Sequence, residues 1–208
     1  MKKVFVLAVL ITLVAAGSAM ALIANSAHDF SAQAWAGNEI CQPCHTPHNA
    51  LGSALSPLWN HELSTATYTP YVGYDIDHVA PTSAVISASI SGLCLSCHDG
   101  TVALENFGGA TGGTTFVTGN FLLDADLTDD HPIAFTYDAA LSTADGELQD
   151  PTTALSTLGG TISADMLSAA GAMDCSSCHD VHNTNVPAAS LLRIDNTGSA
   201  LCIVCHIK

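Results

Sequence analysis

Basic residues are almost missing. Lys2, Lys3, Arg193 and Lys208 are the four in 208 residues, against nineteen aspartates and glutamates. Such a chain repels nucleic acid and anionic membrane surfaces, and it attracts cations or basic partners. Charged residues of either sign are scarce at 11%, and Phe, Trp and Tyr together reach only 6%. Ala, Ser, Thr and Gly are abundant instead. That balance makes sense if bulky prosthetic groups, rather than aliphatic and aromatic side chains, fill the interior. Past the N-terminus no apolar run is long enough to cross a membrane.

The N-terminus holds the exception. "MKK", the apolar "VFVLAVLITLVAAG" and the small-residue site Ala19-Met20-Ala21 read as a secretory signal peptide over residues 1–21. The apolar stretch is short for a spanning helix and lacks a positive stop-transfer cluster. No cysteine lies near Ala21 to carry a lipid. The expectation is export through the Sec pathway, to the periplasm or the extracellular surface. The mature chain would be residues 22–208, with only Arg193 and Lys208 facing the carboxylates.

The eight cysteines fall into four pairs, Cys41/Cys44, Cys94/Cys97, Cys175/Cys178 and Cys202/Cys205. Each pair is followed at once by histidine: His45, His98, His179 and His206. A zinc half-site, a redox dithiol or a disulfide framework would each use C-x-x-C. None of them explains a histidine after every pair. Covalent attachment of haem does, since two thiols add to the two vinyl groups and the next imidazole meets the iron. The expectation is four haem c groups, with those histidines as proximal iron ligands.

The remaining histidines are His28, His48, His61, His78, His131 and His182. Met166 and Met173 are the thioethers left in the mature chain, and Met173 is too near Cys175 to cross its own haem. Imidazole is therefore the expected sixth ligand. His48 and His182 each lie three residues beyond a proximal histidine, on the same face of a helical turn. Such a residue cannot reach the far side of its neighbour's haem, so it points at a different iron. Because each shares a repeat with the next attachment site, His48 is expected to cap the haem of Cys94/Cys97, and His182 that of Cys202/Cys205.

Two repeats follow, about 41–98 and 175–206, each C-x-x-C-H-x-x-H and then L-C-x-x-C-H, with an insert over 99–174. Regular structure should be sparse: mostly irregular coil with short α-helices and little β, wrapped around a chain of four haems. Candidate helices are 83–97 and 163–173, the latter with Ser163 as N-cap. The Gly/Thr-rich stretch 108–120 reads as loop, with room for a short hairpin. The tyrosines of "YTPYVGY" read as packing residues in an extended segment. The carboxylates of "DADLTDDHP" lack the spacing of a calcium loop and read as a solvated turn.

The elements "HDF", "CQPCHTPHNA", "PLWN", "LCLSCHDGTVA", "DDHPI", "CSSCHDVHN" and "LCIVCH" resemble the doubled C-x-x-C-H multihaem cytochromes of metal-reducing bacteria. In haem count, size and export signal the chain is similar to the tetrahaem outer-membrane cytochrome E type, whose subunits polymerise into extracellular nanowires. The resemblance implies bis-histidine irons, with His28 and His131 joining His48 and His182 as distal ligands. His61 and His78 match no family position and read as surface residues. The implied function is electron transfer, with other copies of the chain in a head-to-tail filament and redox proteins as partners. A soluble periplasmic shuttle with the same haems is the alternative. An enzyme such as a multihaem reductase needs an open iron position, whereas every site here has a candidate sixth ligand. The segment from His28 to Cys41 is long enough either to fold back or to reach the next subunit. His28 is the first candidate for a ligand that crosses between copies.

Overall fold

The architecture was read from a computed structural model, which describes residues 23–51, 55–73, 77–182 and 191–207. The segment expected to be a signal peptide, residues 1–21, lies outside them. The described chain is mostly coil, with six short α-helices, three single 3-10 turns and one two-stranded sheet. The helices are α1 (Ser83–Ser87), α2 (Ile90–His98), α3 (Ala139–Asp145), α4 (Ile162–Asp165), α5 (Cys175–Cys178) and α6 (Cys202–Cys205). The strands β1 (Phe135–Thr136) and β2 (Ala172–Met173) pair antiparallel, Phe135 opposite Met173.

The helix expected over 83–97 is two helices. Thr82 caps the first, its hydroxyl accepting from Val85 N at 3.3 Å. Ser89 is extended at φ −97°, ψ 172°, and breaks the run. Gly92 makes the break compact, because a Cβ there would stand 2.5 Å from the Ser87 carbonyl. The helix expected over 163–173 shrinks to α4, capped by Thr161 rather than Ser163, and its end becomes β2. Segment 108–120 is loop without a hairpin, ending in a 3-10 turn at Gly119–Phe121. Tyr68 is buried, whereas Asp124, Asp126 and Asp129 are exposed, as a solvated turn requires.

The insert supplies most of the larger core. Phe135, Tyr137, Leu141, Ile162, Met166 and Met173 pack with Leu201, Val204 and Cys205 around the last attachment helix. Both methionines are thus core residues. The smaller core gathers Tyr68, Ile86, Leu95, Leu127 and Ala134 beside α2.

The two repeats are related in backbone detail. His45 bridges antiparallel to Trp59, and His179 to Leu192. Thr46 N donates to Leu58 O at 2.9 Å and Asp180 N to Leu191 O at 2.7 Å. Asn60 N donates to Cys44 O at 2.9 Å and Arg193 N to Cys178 O at 2.8 Å. Leu58 and Leu191 even share a left-handed backbone, φ 59° and 51°.

Candidate haem-binding centres

A C-x-x-C-H segment that closes one helical turn puts both sulfurs on one face, with the histidine starting a new direction. That is the observed form. His45 N donates to Cys41 O at 2.8 Å, and His179 N and His206 N to Cys175 O and Cys202 O at 3.0 Å each. All eight thiols are unbridged. Burial pushes the Cys97 thiol up to about 12, and Cys44 and Cys205 to about 11. Zinc binding needs thiolate, which these surroundings penalise, whereas a neutral thioether suffers no such penalty.

Among the described residues, the attachment histidines His98, His45 and His206 each face a second imidazole. The ring centres of His98 and His28 lie 6.1 Å apart, those of His45 and His182 6.2 Å, and those of His206 and His131 6.5 Å. Metal–nitrogen bonds of roughly 2.0–2.1 Å, with about 1.1 Å more from nitrogen to ring centre, put two imidazoles on one metal about 6.3 Å apart. Aromatic neighbours also pack at such distances, as His45 does with Trp59 at 6.4 Å. The distinguishing fact is that each of the three pairs joins one C-x-x-C-H imidazole to one outside the motif.

Hydrogen bonding leaves the same nitrogen available in several of these rings. Nδ1 of His45 meets Pro57 O at 2.9 Å, that of His98 Phe121 O at 2.8 Å, and that of His131 Pro132 O at 2.9 Å. An imidazole donating Nδ1–H to a carbonyl presents its Nε2 lone pair outward, the arrangement that orients metal-bound histidine. His28 is held neutral, its pKa lowered to about 4 by burial and by His98 and His179, and its Nδ1 is buried without a hydrogen-bond partner. Exposed apolar side chains flank the pairs: Phe121 and Leu122 beside His98, Leu58 and Val181 beside His45 and His182, Ile203 and Ile207 around His206. Paired imidazoles, unbridged buried sulfurs and apolar borders suit a flat apolar macrocycle bearing a metal. The residues present fit haem.

The pairing departs from the sequence expectation for the connectors. His182 faces His45 of the other repeat, while His28 and His131 face the histidines assigned to His48 and His182. His28 folds back because its segment is docked by aromatic packing, Phe30 on Trp35 at 5.4 Å and Trp35 on Phe107 at 6.1 Å. His48 is exposed and meets no other histidine ring among the described residues. Nor are His61 and His78 surface residues. His61 is 2% exposed, with Nδ1 and Nε2 2.8 and 3.2 Å from the carbonyls of Glu62 and Ala103. His78 is half-buried, stacked on Phe135 at 4.2 Å.

The attachment sites follow one another in chain order. Cys44 lies close enough to Cys97 to raise its pKa, Cys175 does the same to Cys94, and Cys178 in turn feels Cys202. The middle step is bolted by Asp174, buried and accepting from the Ser91 hydroxyl at 2.7 Å. Cys175 N donates to that hydroxyl at 3.1 Å. Neither residue of this joint between α2 and α5 stands out in sequence.

Residues 168–208, with the last two attachment sites, match the family described as the doubled CXXCH motif. No curated protein matches the chain. The doubled motif, met here on paired imidazoles and unbridged cysteines, supports a multihaem c-type cytochrome family for this chain.

Proposed function

We propose that the chain transfers electrons through four covalently attached, bis-histidine haems, as an exported cytochrome that polymerises into an extracellular conduit. The observation carrying this reading is the set of three imidazole pairs with centres 6.1, 6.2 and 6.5 Å apart. Haem iron would supply a centre that gains and loses one electron without bond making. The four cysteine pairs would hold the macrocycles, His45, His98, His179 and His206 would ligate proximally, and His28, His131 and His182 distally. The carbonyls of Pro57, Phe121 and Pro132 would keep His45, His98 and His131 in the required orientation. With three irons filled on both faces by this chain and His48 of a neighbouring copy completing the fourth, no position is left for substrate, so the protein is read as a carrier rather than an enzyme.

His48, the connector histidine that meets no other histidine ring among the described residues, is the distal candidate that can serve a neighbouring copy. A heterologous contact of that kind propagates without closing and gives a filament. Mass spectrometry of the exported protein tests the core reading: four haems should add to residues 22–208 and survive denaturation. Free thiols in protein made with a working attachment system would sink it. Negative-stain microscopy then separates filaments from a soluble shuttle.

A further inference from the structure

Arg193 is the one lysine or arginine between residues 4 and 207. It occupies the position that Asn60 holds in the first repeat. Each follows a left-handed leucine by two residues, and each backbone N–H donates to the second cysteine of its connector. The side chains do the same task as well. Asn60 Nδ2 donates to Gln42 O at 2.7 Å, and Arg193 Nε donates to Ser176 O at 2.5 Å. Both acceptors are the first residue between the two cysteines. The clamp is shared; the charge is not.

The amide of Asn60 is neutral, and its Oδ1 accepts from Gly108 N at 3.0 Å. The guanidinium of Arg193 is half-buried and meets backbone carbonyls only, the second being Asp165 O at 3.5 Å. Among the described residues no carboxylate forms an ion pair with it. The Asp165 carboxylate is turned to Ser156 and Gly160 N. An unpaired cation in partly desolvated surroundings acts over several ångströms.

We propose that Arg193 both positions the Cys175–Cys178 turn and sets the electron affinity of the haem held there, raising its potential above that of its repeat equivalent at Cys41/Cys44. Adding one electron at that centre adds one negative charge, with no bond formed or broken and no proton moved. The electron comes from a neighbouring reduced haem, which is oxidised by one electron. The nearby cation lowers the energy of the reduced form; Asn60 offers no such help. The third site would thus hold an electron inside the row, the polarity between repeats coming from a single residue.

The inference rests on the proposed haem loading, and the two can fail separately. Fewer than four haems on the unsubstituted protein would sink the loading. With four present, a spectroelectrochemical titration of Arg193→Gln, which keeps a donor but drops the charge, should move one reduction wave to lower potential. Arg193→Lys should leave that wave near its original place, and both variants should retain low-spin spectra. Unmoved waves in Arg193→Gln, or equal loss in Arg193→Lys, would overturn the role of the charge. Stepwise reduction of the unsubstituted protein, followed by the assigned NMR signals of the haem methyls, is an independent readout. The Cys175/Cys178 site should fill before the Cys41/Cys44 site, and the reverse order would also overturn the proposal.

Discussion

The ring of His28 reaches His98 through aromatic packing: Phe30 rests on Trp35, and Trp35 on Phe107. Two substitutions separate ligation from docking. His28→Ala should turn one haem of four high-spin, read by electron paramagnetic resonance, without dissolving filaments. Trp35→Ala leaves the imidazole in place but loosens its support, so the same haem should show a mixture of spin states. A fully low-spin His28→Ala protein would remove His28 from the ligand set. His61 marks the opposite case. With both nitrogens turned to carbonyls and burial lowering its pKa, it serves the protein interior beside Cys97.

At the scale of elements, the joint between α2 and α5 carries the chain of attachment sites across the two repeats. Asp174 is 2% exposed, and the Ser91 hydroxyl stands between its carboxylate and Cys175 N. Hydrogen bonds to a charged group contribute about 1.5–3 kcal/mol each. Asp174→Ala should cost roughly that much stability, and Ser91→Ala about 1 kcal/mol, in denaturant unfolding of the haem-loaded protein. Because the joint also sets the approach of Cys94 to Cys175, both variants should change the coupled Soret circular dichroism of neighbouring haems. Gly92→Ala tests the compact break before α2. The Ser87 carbonyl stands 2.5 Å from the new methyl, and the overpacking should cost about 1–3 kcal/mol in the same assay.

On the scale of the molecule, charge bears on the proposed assembly. In the proposed mature chain, residues 22–208, nineteen carboxylates face Arg193 and Lys208. In the proposed filament, copies would approach against mutual repulsion, which salt screens. Filament growth followed by light scattering should speed up from low to physiological ionic strength; growth fastest at low salt would contradict this. His48→Ala should abolish filaments in electron micrographs while the monomer keeps all four haems covalently bound. Intact filaments from that variant would remove His48 from the junction.

Local chemistry was legible without coordinates. Four C-x-x-C-H segments single out eight candidate attachment cysteines and four candidate proximal histidines, because thiol spacing and an adjacent imidazole are properties of one helical turn. The sparse regular structure and the doubled repeat were legible for the same reason: composition and spacing are carried by short stretches of chain. Partnership between distant residues was not. His48 and His182 have identical spacing and are both exposed, yet His182 faces His45 of the other repeat and His48 meets no histidine ring among the described residues. Asp174 and Ser91, 83 residues apart, meet only because α2 and α5 pack together. Spacing along a strand or turn determines which way a side chain leaves the backbone. What it then meets depends on how the chain returns between attachment sites whose starts lie 53, 81 and 27 residues apart, and that was decided by the packing of aromatic and aliphatic side chains in the tertiary structure.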